Sequence, residues 1–150
     1  MKAYRLCRED EIRQILRDNS FKNIGGYYSN YGCNIHLYQS DKKYLHFFMK
    51  KSDLLYLRSM KGRYICEYEI PKRICDKHNG IGKYWDYVDF CELVEVKELA
   101  IPTDFIKIDY LRSINKIIKD IDYEDMIEDP DLTEFTQKIY IQDKNIEKTI

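Results

Sequence analysis

Tyr44-Leu45-His46-Phe47-Phe48-Met49 is a short apolar run with one ionisable group at its centre. Polar segments bound it, Gln39-Ser40-Asp41-Lys42-Lys43 before and Lys50-Lys51-Ser52-Asp53 after. A run of this length between turns predicts a buried strand carrying a histidine. His46 is then either a hydrogen-bonded core residue or a ligand-facing one, and the function turns on which.

Upstream, Ala3-Tyr4-Arg5-Leu6-Cys7 alternates as a strand, with Tyr4 and Leu6 on one face and Arg5 on the other. From Glu9 the period changes: Ile12, Ile15 and Leu16 fall at helical spacing, acids crowd the start and Arg13 and Arg17 follow, as the helix dipole favours. The stretch 21–38 carries Gly25-Gly26, Gly32 and several Asn. It predicts a loop with a short strand at 34–38, and Tyr27, Tyr28 and Tyr31 give that loop aromatic faces.

Downstream, Ser52 is placed to cap a short helix over 53–58, and Gly62 breaks the chain. In 63–70, Tyr64, Cys66, Tyr68 and Ile70 alternate with mostly polar residues until Pro71, which predicts a strand with one wet face. Pro71 to His78 predicts a short helix ended by Asn79-Gly80-Ile81-Gly82. Tyr84 to Phe90 is a strand or a packed loop, with Trp85 plugging the edge of the core. Residues 93–101 hold two candidate strands, and a final strand and a helix over 109–118 follow. The expected fold is α+β, with small, mostly antiparallel sheets flanked by short helices over residues 1–118, then an acidic peripheral helical tail over 119–150.

The totals narrow the function classes. At 150 residues and 44% hydrophobic content, a single core needs no staples. A formal net charge of -1 supplies no global field toward nucleic acid or an anionic membrane. Five cysteines with no C-x-x-C pair, and no histidine at zinc spacing, suggest buried thiols in a reducing cytosol and no metal site. The start lacks the apolar core of a signal peptide, and no run reaches membrane-spanning length. A cytoplasmic protein without membrane contact is expected. Tyrosine, 14 residues, is abundant alongside Ile, Lys, Asp and Asn, in keeping with an AT-rich coding genome.

Three candidates for chemistry, Arg5, His46 and Glu98, lie on predicted strands. Taken singly, each has a plain reading: a surface ion-pair donor, a satisfied core histidine and a solvent-facing acid. Taken in order, Tyr4-Arg5-Leu6 with Glu11 to Leu16, then Tyr44 to Phe48, then Glu98-Leu99-Ala100-Ile101-Pro102 with Phe105-Ile106, the chain resembles the ADP-ribosyltransferase-like superfamily over roughly its first 110 residues. That resemblance implies NAD as co-substrate, with Arg5 on a phosphate, Tyr44 and Tyr27 lining or lidding the nicotinamide site, and Glu98 and His46 as catalytic groups. The acceptor would be a protein or a nucleic acid, in a toxin, phage or defence setting. The Ser-Thr-Ser strand of the arginine-type transferases is absent, as is the first-strand histidine of the diphtheria-toxin type, so a fold that has lost catalysis fits as well.

Other motifs give less. Neither a Gly-x-x-x-x-Gly-Lys-Ser/Thr loop nor a Gly-x-Gly-x-x-Gly turn is present, and no Gly-x-Ser-x-Gly elbow appears. His36, His46 and His78 with nearby cations would also suit a metal-free ribonuclease. The rival class is a non-catalytic interaction protein or inhibitor that binds a protein partner. Its acidic stretch, 124–134, would engage a basic partner.

Overall fold

The computed structural model describes residues 1–21, 44–57, 60–86, 91–121 and 132–139. The expected strand at 34–38, the Tyr27 loop and most of the acidic stretch lie outside them. Seven strands, β1 (Lys2–Cys7), β2 (Tyr44–Phe48), β3 (Tyr64–Glu69), β4 (Asn79–Trp85), β5 (Leu93–Pro102), β6 (Leu111–Ile117) and β7 (Thr136–Ile139), form one antiparallel sheet. Its order is β4-β5-β2-β1-β3-β6-β7. With helices α1 (Glu9–Asp18) and α2 (Lys72–Lys77), the fold is α+β, built on one sheet where several small ones were expected.

The sheet is buried on both sides, and strand parity decides which side chain goes where. One face carries Ala3, Cys7, Leu45, Phe47, Cys66, Tyr68, Leu99 and Ile101, covered by Ile12 and Ile15 of α1 and Cys75 of α2. The other carries Tyr4, Leu6, Phe48, Ile65, Tyr84 and Val96, covered by Leu54, Leu55 and Leu57 from a 3-10 helix over Lys51–Leu57. The first is the helix face of the sheet and the second its 3-10 face. Ile65 is 1% exposed, so β3 has no wet face over its centre. The apolar Leu-Leu-x-Leu cluster at 54–57 is what covers that second face.

Helix α1 begins with Glu9, Asp10 and Glu11 and closes at Asn19, whose left-handed φ of 50° lets its N–H meet the Ile15 carbonyl. Gly62, at φ 83°, turns the chain into β3. Asn79 to Gly82, expected to end a helix, instead opens β4, which pairs with β5 from Asn79↔Leu99 to Trp85↔Leu93. The two strands expected within 93–101 are one, β5.

Residues 111–117 correct the sequence reading most clearly: they are strand β6, where a helix was expected. Leu111, Ile114 and Ile117 recur every third residue, which mimics a helical stripe. In the sheet, Glu67 pairs with Ser113 but Tyr68 pairs with Leu111, so Arg112 is an extra residue in β6. That bulge shifts the phase by one and puts Leu111 and Ile114 in the same core cluster. Segment 132–139 likewise holds a strand, β7, paired with β6 through Ile114↔Ile139, so the sheet continues past the boundary expected at 118.

Ile139 is 4% exposed, and its removal tests that continuation. Ile139→Ala is expected to cost about 2–5 kcal/mol in chemical denaturation, as for other buried aliphatic truncations. A value within about 0.5 kcal/mol of zero would mean residues 132–139 ride on the surface.

Candidate functional site

The sheet order places β2 between β1 and β5, so the three strands bearing Arg5, His46 and Glu98 are neighbours. On the β5 side, pairing is continuous from Tyr44↔Pro102 to Phe48↔Glu98. On the β1 side, only Tyr4↔Phe48 pairs. Where the β1–β2 ladder ends, the Arg5 guanidinium takes over: Nη1 donates to the His46 carbonyl at 3.3 Å, and Nη2 donates to Glu11 Oε2 at 3.0 Å.

Arg5 is therefore anchored from two sides. Its side chain is 6% exposed and that of Glu11 8%, so the ion pair is buried. Arg8 Nε lies 3.6 Å from the other Glu11 oxygen. The neighbouring Cys7 thiol is pushed well up, chiefly by its hydrogen bond with Cys66 and then by burial, and burial pushes up the Tyr68 phenol. Both stay neutral, which leaves Glu11 as the carboxylate balancing Arg5. The sequence reading gave Arg5 a phosphate as its partner; the structure gives it Glu11 and the backbone of β2.

His46 and Glu98 lie on the 3-10 face, opposite the face to which Arg5 belongs. Parity requires it, since Phe48 and Val96, which share their faces of β2 and β5, pack in the 3-10-face cluster. His46 Nδ1 is 3.8 Å from Glu98 Oε1, with side chains 11% and 8% exposed. That is ion-pair range and too long for a hydrogen bond. Tyr84 from β4 completes the group, its hydroxyl 2.8 Å and 2.9 Å from the two Glu98 oxygens. Glu98 leans across Gly82, where a Cβ would collide with its carboxyl and with the Tyr84 ring. The Tyr84 ring packs at a tilt against Phe48, 5.6 Å away, and Tyr56, 6.2 Å away.

Burial pushes the Glu98 carboxyl up to about 8. At neutral pH most of it is protonated, so the site holds a carboxylic acid that can donate a proton, next to an imidazole and a phenol. This is the kind of displaced acidity that marks functional groups, and also some structural ones. Among the described residues no cluster of three or more His, Cys, Asp or Glu side chains is arranged to hold a metal ion.

Of the residues singled out from the sequence, His46 and Glu98 come together, Arg5 joins them through the β2 backbone, and Tyr44 is half-buried at the start of β2. Tyr27 lies outside the described residues. Tyr84, Gly82 and Glu11 were not singled out. Glu11 was read as a helix-start acid and as part of the segment 11–16, with no partner assigned to it, and Gly82 as a breaker. No protein family, curated protein or solved structure matches this chain. No described helix is long and apolar enough to cross a membrane.

Two predictions follow from the electrostatics. A carboxyl whose acidity is lowered in the folded state binds its proton more tightly there, so its contribution is full below about pH 4.5 and is lost as pH rises through about 8. The melting temperature of the wild type is expected to fall over that window relative to Glu98→Gln, which cannot ionise; parallel curves would place Glu98 in water. Glu11→Ala leaves the Arg5 charge buried and is expected to cost about 3–5 kcal/mol in denaturant unfolding.

Proposed function

We propose that the chain is an ADP-ribosyltransferase-like protein that uses NAD to modify a protein or nucleic-acid acceptor. The observation that supports this reading most is the placement of His46 and Glu98 side by side on adjacent strands, with Arg5 gripping the His46 carbonyl from the third. In this reading the acceptor nucleophile attacks C1′ of the nicotinamide ribose. The C–N bond to nicotinamide breaks, and its electron pair leaves on the neutral base. Positive charge develops on the ribosyl group, and a carboxylate beside it lowers the barrier.

Glu98 supplies that carboxylate once ionised. The nicotinamide ring of NAD is cationic, and a cation close to a carboxyl favours its charged form. His46 and Tyr44 would wall the nicotinamide side, and Tyr84 holds the Glu98 carboxyl in place. Arg5 is here a positioning residue, fixing β2 where its ladder to β1 ends.

A second reading, a non-catalytic protein that binds a protein partner, has its own support. On the β4–β5 hairpin, Ile81, Trp85 and Leu93 are 65%, 37% and 50% exposed. All three lie on the side of the ribbon away from Tyr84, with Trp85 directly opposite Leu93. Trp85, expected to plug the core, is part of this exposed group.

Nicotinamide release from NAD by the full chain tests the first reading against the second. Glu98→Gln is expected to lower kcat/KM by roughly 10²-fold or more, with the circular dichroism spectrum unchanged. The wild-type kcat/KM, which reports the free protein, is expected to rise with pH toward a plateau above about 8, as Glu98 ionises. No release at any pH, with and without protein and RNA acceptors, would sink the transferase reading.

A further inference from the structure

A pocket of about 410 Å³ lies on the helix face, between α2 and the two 3-10 turns of Thr103–Phe105 and Ile108–Tyr110. The His46–Glu98 group lies on the other side of the sheet, on the 3-10 face. Its rim is basic: Arg73 and Lys77 from α2 and Lys107 from the turns line it, with Asp104 as the acid among them. Three cations against one acid make a local excess of positive charge on a chain whose formal net charge is -1. The nearby Asp76 does not reduce it, since Asp76 is held by Lys72 at 2.8 Å. No ion pair among the described residues engages Arg73, Lys77 or Lys107.

The walls are aromatic. Phe105 is 46% exposed, unusual for a phenylalanine, and it packs against His78 with ring centroids 5.7 Å apart. Tyr110 lines the same pocket. His78 Nε2 is buried with no hydrogen-bond partner among the described residues.

The geometry points to a nucleotide-binding site here, one that takes a single nucleoside monophosphate unit. The volume lies within the range of small-molecule sites. A flat base stacks on Phe105 and Tyr110, and a phosphate meets Lys77, Lys107 and the Arg73 fork, which charge-assisted hydrogen bonds favour. Simple surface cations would hold phosphate without an aromatic wall, and an apolar pocket would not carry three of them. The site is independent of the transferase reading, because none of its residues belongs to the His46–Glu98 group.

The test is calorimetric titration of the full chain with adenosine 5′-monophosphate, adenosine and inorganic phosphate in separate runs. The monophosphate is expected to bind at least tenfold more tightly than either fragment, and more weakly as salt rises. K77A/K107A and Phe105→Ala are each expected to weaken it by roughly tenfold or more. Glu98→Gln is expected to leave it unchanged, so failure here and failure of the transferase reading are separable. Lys77, Lys107 and Phe105 are all exposed, so these variants should fold; a wild-type melting temperature in each confirms it. A short RNA carrying a terminal monophosphate, run in parallel, reports whether a nucleic-acid end is accepted as well as the free nucleotide. Binding of the monophosphate no tighter than phosphate alone, or unchanged in K77A/K107A, would overturn the proposal.

Discussion

The rest of the structure depends on the Arg5 guanidinium, which bridges the Glu11 carboxylate and the His46 carbonyl where β1 and β2 stop pairing. Two strands at the centre of a sheet that share only one paired position leave backbone groups that must be satisfied elsewhere. An arginine can do this at both ends of its fork, whereas a lysine cannot. The cost is a buried charge, and α1 offsets it with Glu11, so the first helix is tied to the sheet by electrostatics as well as by Ile12 and Ile15.

From that junction outward, position follows from parity. β2 turns Leu45 and Phe47 to the helix face and His46 and Phe48 to the 3-10 face, while β5 turns Glu98 to the same side as His46. Glu98 then has nowhere to go but across Gly82 toward Tyr84. An acid enclosed in this way keeps its proton at neutral pH, and a cation brought beside it would release that proton.

How far the sequence could be read depended on how local the signal was. The alternation in β3 and the acid-first, base-last pattern of α1 are visible because each depends on residues within a few positions of one another. The run 44–49 announced β2 for the same reason, whereas the placement of Arg5, His46 and Glu98 on neighbouring strands is set by the sheet order β5-β2-β1, which no local signal carries. What stayed hidden was long-range. The bulge at Arg112 disguised β6 as a helix, and Ile65 looked solvent-facing until the 54–57 cluster was seen to cover it. Tyr84 had no signature as a partner of Glu98, fourteen residues away, because only the β4–β5 register brings them together. Arg5 kept its place but changed its partner, since the six-residue reach to Glu11 depends on how the chain turns from β1 into α1.

The central claim is that a buried, protonated Glu98 on β5 stands beside His46 of β2 and Tyr84 of β4. Carbon-13 NMR titration of the Glu98 side-chain carboxyl, assigned by comparison with Glu98→Gln, measures it directly. The account predicts a midpoint near 8, with the Tyr84 ring resonances moving over the same range. A midpoint near the ordinary glutamate value of about 4.3, with Tyr84 indifferent to it, would contradict the buried site and everything built on it.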